Sequence, residues 1–226
     1  IPGVQRSLFL TFASSDERPI SVDYLRLLPG SFVAEGLEVS EGQYLVRVPS
    51  LEAEFSFGAL LRGRLFVERM VSENVYIKIR KDERADIEKD REKGENDVPD
   101  FKGVLGGVSP IEIVELDVGG LVVGAGGEEA EFRIQAEELL AGQTGTVSLR
   151  FNPLADSPET LPAAEGVVSV TMSDDRSFEE IGLEGRLDSR SEKIQGNVQI
   201  DGSFQKTELG ESYSVSIHSD NLLPEG

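Results

Sequence analysis

The sequence predicts an all-β, largely antiparallel protein, and three observations carry that reading. Apolar and polar residues alternate with period two in run after run, as when a strand turns successive side chains to opposite faces. The runs recur at intervals of roughly 10 to 16 residues with turn signals between them, the spacing of antiparallel strands rather than of βαβ units. Between the runs, apolar residues at helical spacing are scarce, so helix is expected only near Ala59–Leu61, in a charged insertion and over Pro99–Ser109.

In chain order, Ser7–Phe12 reads as a short apolar strand. In the next, Ile20, Val22 and Tyr24 alternate with Ser21, Asp23 and Leu25. Leu28-Pro29-Gly30 signals a turn. Phe32–Val39 and Gln43–Val48 form a hairpin about Ser40-Glu41-Gly42. In the next run Leu51, Ala53, Phe55 and Phe57 are apolar while Glu52, Glu54 and Ser56 are polar, and Gly58-Ala59-Leu60-Leu61 interrupts it. Arg64–Arg69 begins a further strand. Ser72-Glu73-Asn74 reads as a turn, after which Val75, Ile77 and Ile79 alternate with Tyr76, Lys78 and Arg80.

Lys81–Asp97 breaks the pattern: thirteen of its seventeen residues are charged, eight acidic and five basic. Acid–base pairs at i,i+3 (Asp86–Lys89, Glu88–Arg91, Asp90–Lys93) suit a solvated helix. With Ile87 as its one sizeable apolar residue, the stretch equally suits disorder. From Ile111 the β pattern resumes, first as two short strands about Gly119-Gly120. In the following runs Phe132 and Ile134 alternate with Arg133 and Gln135, and Val147, Leu149 and Phe151 alternate with Ser148 and Arg150. Pro153, Pro158 and Pro162 mark a loop, and strands recur at Val167–Met172, Ile181–Asp188, Lys193–Asp201 and Ser212–Ser219. This divides the chain into a β region over 1–80, an insertion and return over 81–109, and a second β region over 110–226.

Composition narrows the function. The 226 residues carry a formal charge of −20, which repels nucleic acid and disfavours flat docking on anionic lipid headgroups. The absence of cysteine removes disulfides and thiolate metal sites, and no apolar run reaches the 18 residues of a membrane-spanning helix. Ile1-Pro2-Gly3 has neither an initiator methionine nor a signal peptide, so a fragment of a longer protein is expected. Asp100 and Asp174-Asp175 lack the spacing of a calcium loop, and the single His218 has no partner nearby in sequence. Paired carboxylates such as Glu137-Glu138 or Glu179-Glu180 are too common in so acidic a chain to suggest acid–base catalysis. No nucleophile elbow, P-loop or dinucleotide fingerprint is present. No catalytic residue, metal or cofactor is expected, and the chain does not read as an enzyme.

Part of the chain resembles a known family. Leu28-Pro29-Gly30 followed by Phe32-Val33-Ala34-Glu35-Gly36-Leu37-Glu38-Val39 is similar to the opening pattern of AsmA-like and TamB-like envelope proteins. The resemblance continues through Val46-Arg47-Val48-Pro49-Ser50-Leu51-Glu52-Ala53-Glu54-Phe55, then Gly58–Val67, Asn74–Ile79 and Ile111–Val118. It covers about Leu25–Val123, on degenerate patterns of apolar residues and glycines. The chain departs from the family in having no membrane anchor ahead of this region and no proline within Met70–Asn74. The resemblance implies an elongated, twisted antiparallel sheet curled into an open, taco-like trough with an apolar interior. It further implies a periplasmic location, with an inner-membrane anchor outside this chain, and transfer of phospholipid between inner and outer membranes. Support of outer-membrane biogenesis and an outer-membrane β-barrel partner are implied as well.

On that reading the groove residues in contact with phospholipid acyl chains are Leu51, Phe55, Phe57, Val75, Ile77, Ile79, Phe132, Ile134, Leu149 and Phe151. Glu52, Glu54, Lys78, Arg133 and Arg150 would face water. The energetics permit this. Each buried methylene contributes roughly 0.8 kcal/mol, so a typical acyl chain gains on the order of 10 kcal/mol without any polar contact. The competing reading is a structural or protein-binding β-domain of the envelope, because the same alternation also builds a packed, lipid-free sandwich core.

Overall fold

A computed structural model describes residues 3, 5–7, 19–80, 111–154, 162–191, 194–207 and 210–224. Twelve strands make one sheet: β1 (Ile20–Ser21), β2 (Tyr24–Leu28), β3 (Ser31–Glu41), β4 (Tyr44–Phe55), β5 (Leu65–Ile79), β6 (Ile111–Val123), β7 (Glu129–Leu139), β8 (Thr144–Pro153), β9 (Ala163–Met172), β10 (Phe178–Ser191), β11 (Ile194–Thr207) and β12 (Gly210–Pro224). From β3 to β12 the strands stand side by side in sequence order. β1 and β2 both pair with the outer edge of β3, so the sheet stays open rather than closing into a barrel. A short helix, α1 (Phe57–Leu60), lies between β4 and β5, where Ser56 caps it by accepting a hydrogen bond from the Ala59 amide. The fold is thus an open all-β trough. The expected Ser7–Phe12 strand lies outside the described residues except for Ser7, which is helical. The charged insertion and Pro99–Ser109 also lie outside them.

The strands are longer than the sequence suggests, because alternation breaks inside them. Residues 43–48 and 51–55 merge into β4, Ser72-Glu73-Asn74 lies within β5 rather than in a turn, and Gly119-Gly120 lies within β6. The register explains why. Ser72 pairs with Val118 and Val75 with Gly120, so Glu73 and Asn74 together face Gly119 in a β-bulge. Asn74 takes the left-handed conformation that the bulge needs, with φ 59°, and asparagine tolerates it. One extra residue moves Met70 and Ser72, even-numbered, onto the same face as the odd-numbered Val75 and Ile77.

Neighbouring strands reset at the same level. Ala53 pairs with Met70 and Phe32, whereas Val46 pairs with Ile77 and Val39, so β3 and β4 also change phase midway. In β3 the change falls at Gly36, φ 61°, where a Cβ would lie 2.1 Å from the Asp23 carboxylate. At the sheet edge it separates β1 from β2. There the expected alternation fails: Leu25, placed with Ser21 and Asp23 opposite Val22, is fully buried together with Val22 and Ala34 in a small core closed by Phe32, Leu37 and Leu51. Ser72, 3% exposed, satisfies its hydroxyl by donating to the Ser50 carbonyl at 2.8 Å, at the level of the reset.

The antiparallel expectation fails once, since β5 and β6 run parallel. Ile111 starts beside Leu65, so the chain leaving Ile79 must return along the whole of β5, roughly 45 Å at 3.3 Å per residue. A parallel pair needs such a connection, and residues 80–110 supply it. This sets how far Lys81–Asp97, with Ile87 as its one sizeable apolar residue, can be shortened. Replacing that stretch with Gly/Ser should shift the melting temperature by only a few degrees while about 14 or more connecting residues remain. Shorter connections cannot span the distance, and a series of deletions followed by thermal melts should show cooperative unfolding lost near that length.

The reset also separates two adjacent glycines. A Cβ at Gly120 would sit 1.8 Å from the Val75 carbonyl oxygen, whereas at Gly119 the nearest atom is 3.6 Å away. Gly120→Ala should cost on the order of 1–3 kcal/mol by denaturant unfolding, and Gly119→Ala close to nothing.

Candidate functional site: the apolar face of the sheet

Residues directly opposite one another on paired strands share a face, so the register assigns the face of most side chains. Starting at Val75, Ile77 and Ile79, one row runs through Gly120 and Val122 on β6, then Phe132 and Ala130 on β7 and Phe151 and Pro153 on β8. A second runs through Met70, Leu116, Ala136, Val147, Val168, Leu183, Gly202 and Val215. A third joins Ile134, Leu149, Gly166, Gly185, Ile200 and Ile217. Every residue named in these rows is apolar or glycine, and the second row runs unbroken from β5 to β12. On the opposite face the same strands present Glu131, Arg133, Gln135 and Glu137, then Thr146, Ser148 and Arg150, then Glu184, Arg186 and Asp188.

Nine of the ten sequence-predicted groove residues fall on strands of this apolar face. Val75 and Phe132 are buried, Leu51, Phe55, Ile77, Ile79, Ile134 and Phe151 are half-buried, and Leu149 is 47% exposed because Gly166 opposite it offers no side chain. Phe57 is the exception. It is the first residue of α1, 46% exposed, because the strand ends at Phe55 and Ser56 caps the helix. Glu52, Glu54, Lys78, Arg133 and Arg150 are all exposed.

Sequence reading missed most of the face. Val46, Met70, Leu116, Val118 and Ala136 belong to it, yet the phase changes hid the first two. Val168, Leu183, Val198, Ile200 and Phe204 were legible as alternation on β9–β11 but were not assigned to the groove. Phe204 stacks on Tyr213 of β12 with ring centres 6.4 Å apart. It also missed the ion pair of Glu112, 4% exposed, with Arg64, which sits near α1 where Glu112 further accepts from the Ala141 amide at 3.4 Å.

The polar face holds shallow depressions of its own. One of about 570 Å³ lies among Tyr76, Asp117, Glu131, Arg133 and Arg150, and one of about 300 Å³ among Ser169, Asp201, Ser203, Ser214 and Ser216. Arg133 grips Asp117 with two nitrogens, and Gln135 adds a contact at 3.3 Å. The hydrogen bond from Arg133, helped by its charge and by Gln135, holds the Asp117 carboxyl below its ordinary value, and Asp117 in turn raises Arg133. Asp174-Asp175 forms an ordinary turn in which Asp175 accepts from the Ser177 amide at 3.1 Å. His218 is exposed on β12. Among the described residues no three His, Asp or Glu side chains gather as metal ligands, and no helix is long and apolar enough to cross a membrane.

These features define a class: a single open β-sheet, apolar on one face and charged on the other. The chain matches no protein-family model, no curated protein and no solved structure.

Because the folded Asp117 binds its proton more weakly than the unfolded one, its contribution to stability is complete above the unfolded carboxylate's pKa near 4. It is lost as pH falls through the lower folded value. Asp117→Asn should therefore flatten the acid limb of the stability curve below about pH 4, measured as urea midpoints against pH, and lower stability at neutral pH.

Proposed function

We propose that this chain carries phospholipid acyl chains along its apolar face, as a segment of a bridge-like protein that passes lipid between inner and outer membranes. The observation that carries this reading is the apolar row that runs unbroken from Met70 on β5 to Val215 on β12, flanked by two shorter ones, on a sheet that does not close. A sandwich or barrel hides its apolar face against a second layer or against itself. An open sheet leaves that face for another apolar body, and acyl chains need no directional partners. The periplasmic location, the inner-membrane anchor, the outer-membrane β-barrel partner and the role in outer-membrane biogenesis rest on the resemblance to AsmA-like and TamB-like proteins. The acidic opposite face suits solvent.

One observation favours the alternative, a structural or protein-binding envelope domain with a lipid-free packed core. Val75, Ala130, Phe132 and Ala136 are each under a tenth exposed, as core residues are.

The two readings part on two measurements. A photoreactive group at Ile77 should crosslink phospholipid from a membrane extract, and native mass spectrometry of the purified chain should find co-purified phospholipid. Ile134→Asp should abolish both while the protein stays folded. In the packed domain the wild type captures no lipid, and Ile134→Asp instead costs about 3–5 kcal/mol of stability.

A further inference from the structure

A second concentration of exposed apolar side chains lies at one end of the strands, around α1. The Phe55 amide donates to the Gly30 carbonyl and the Ser56 amide to the Phe66 carbonyl, each at 2.9 Å, and Leu65 pairs with Ile111. The turn after β2, the helix α1 and the starts of β5 and β6 therefore stand side by side, across roughly 20 Å at the usual spacing of strands. Leu28, Phe57, Leu60, Leu61, Leu65 and Ile111 are all exposed there, Leu61 by 75%. The helix explains part of this. Its buried residue is Ala59, so Phe57, Leu60 and Leu61, at i, i+3 and i+4, share the outward side of one turn. Exposed apolar clusters of this kind mark contact surfaces.

Charge says what this surface contacts. Ser56–Val67 holds two arginines and no Asp or Glu, in a chain with 42 acidic residues. Arg62 is exposed, as is Arg26 on β2, and neither forms an ion pair among the described residues, while Arg64 is held by Glu112. The flanking acids, Glu54 and Glu68, lie back on the strands, where Glu54 stands opposite Arg69. Exposed Leu and Phe beside unpaired arginines fit a bilayer interface: the apolar groups enter the acyl boundary and the arginine stems reach back to the phosphates. Screening limits what a headgroup feels to charges within about 8 Å, so the local arginines outweigh the −20 of the whole chain. That charge opposes flat docking of the sheet, not end-on contact through this turn.

We propose that the α1 end of the sheet docks on an anionic phospholipid bilayer, with Phe57, Leu60 and Leu61 in the interface and Arg26 and Arg62 at the phosphates. The contact lies inside the chain, where β4 turns into β5, and is flanked by strand ends on both sides. Contact through strand ends stands the strands upright on the membrane and sets one rim of the open sheet beside the headgroups. The inference does not rest on carriage of acyl chains along the sheet, because docking is read on intact vesicles.

The test is flotation of the whole chain with phosphatidylcholine vesicles, with and without phosphatidylglycerol. The chain should float with the phosphatidylglycerol vesicles and much less with phosphatidylcholine alone. Leu61→Asp, at so exposed a side chain, should keep the wild-type melting profile yet weaken binding by about tenfold or more. Arg62→Glu should reduce the preference for phosphatidylglycerol. Tyr44→Asp, at the opposite end of β4, should bind as the wild type does. Because the chain has no cysteine, Leu61→Cys offers a unique thiol for an environment-sensitive fluorophore, whose emission should move to the blue on phosphatidylglycerol vesicles. The same label on Tyr44→Cys should not respond. A chain that does not float, equal binding to both vesicles, a folded Leu61→Asp that still binds, or a label at position 61 that stays in water overturns the proposal. So does a label shielded in concentrated protein without vesicles, since the patch then meets a second copy.

Discussion

The structure depends on keeping one face of a long sheet apolar while its strands twist past one another. Side chains alternate strictly with period two, so any strand that gains a residue against its neighbour turns all later side chains over. Here the gain at Glu73-Asn74 is matched by phase changes at Gly36, near Pro49-Ser50 and between β1 and β2, all at one level of the sheet. The polar–apolar pattern in the sequence changes phase at the same places. Without that match, β5 would turn Lys78 or Val75 to the wrong face, at a cost of several kcal/mol for a buried unpaired charge.

The same constraint accounts for the glycines that matter. At Gly36 the backbone must turn left-handed beside the Asp23 carboxylate, and at Gly120 the bulge brings the Val75 carbonyl where a side chain would stand. Ser72 shows the complementary solution, a buried polar group that answers a backbone carbonyl beside the irregularity. Strand irregularities in this fold therefore act as phase correctors, and they position the apolar rows of the candidate site. The parallel β5–β6 pair is tied to the same place, since the bulge is where its register shifts.

Charge is segregated as sharply as apolarity. Arg133 with Asp117, Arg47 with Glu38 and Arg69 with Glu115 lie on or near the solvated face, and exposed pairs of this kind contribute little to stability. They balance part of a large negative charge and leave the apolar rows free of ionised groups. The ion pair of Glu112 and Arg64 differs, because one partner is almost wholly buried beside the turn that joins β4 to β5.

The sequence by itself determined the all-β class, the polar or apolar assignment within each short run, and the common face of nine of the ten apolar residues it singled out. Alternation is a local property and reads directly from neighbours two apart. It misjudged Phe57, where a helix cap at Ser56 outweighs two further apolar residues, and Leu25, whose burial follows from a break between β1 and β2. It divided β4, β5 and β6, since a change of phase in one chain looks like a turn. Only the tertiary structure decided that these are bulges within continuous strands, that β6 runs parallel to β5, and that separate alternating runs form one apolar surface. Those facts lie in the register between strands, which pairs residues far apart in sequence and leaves no local trace in either one.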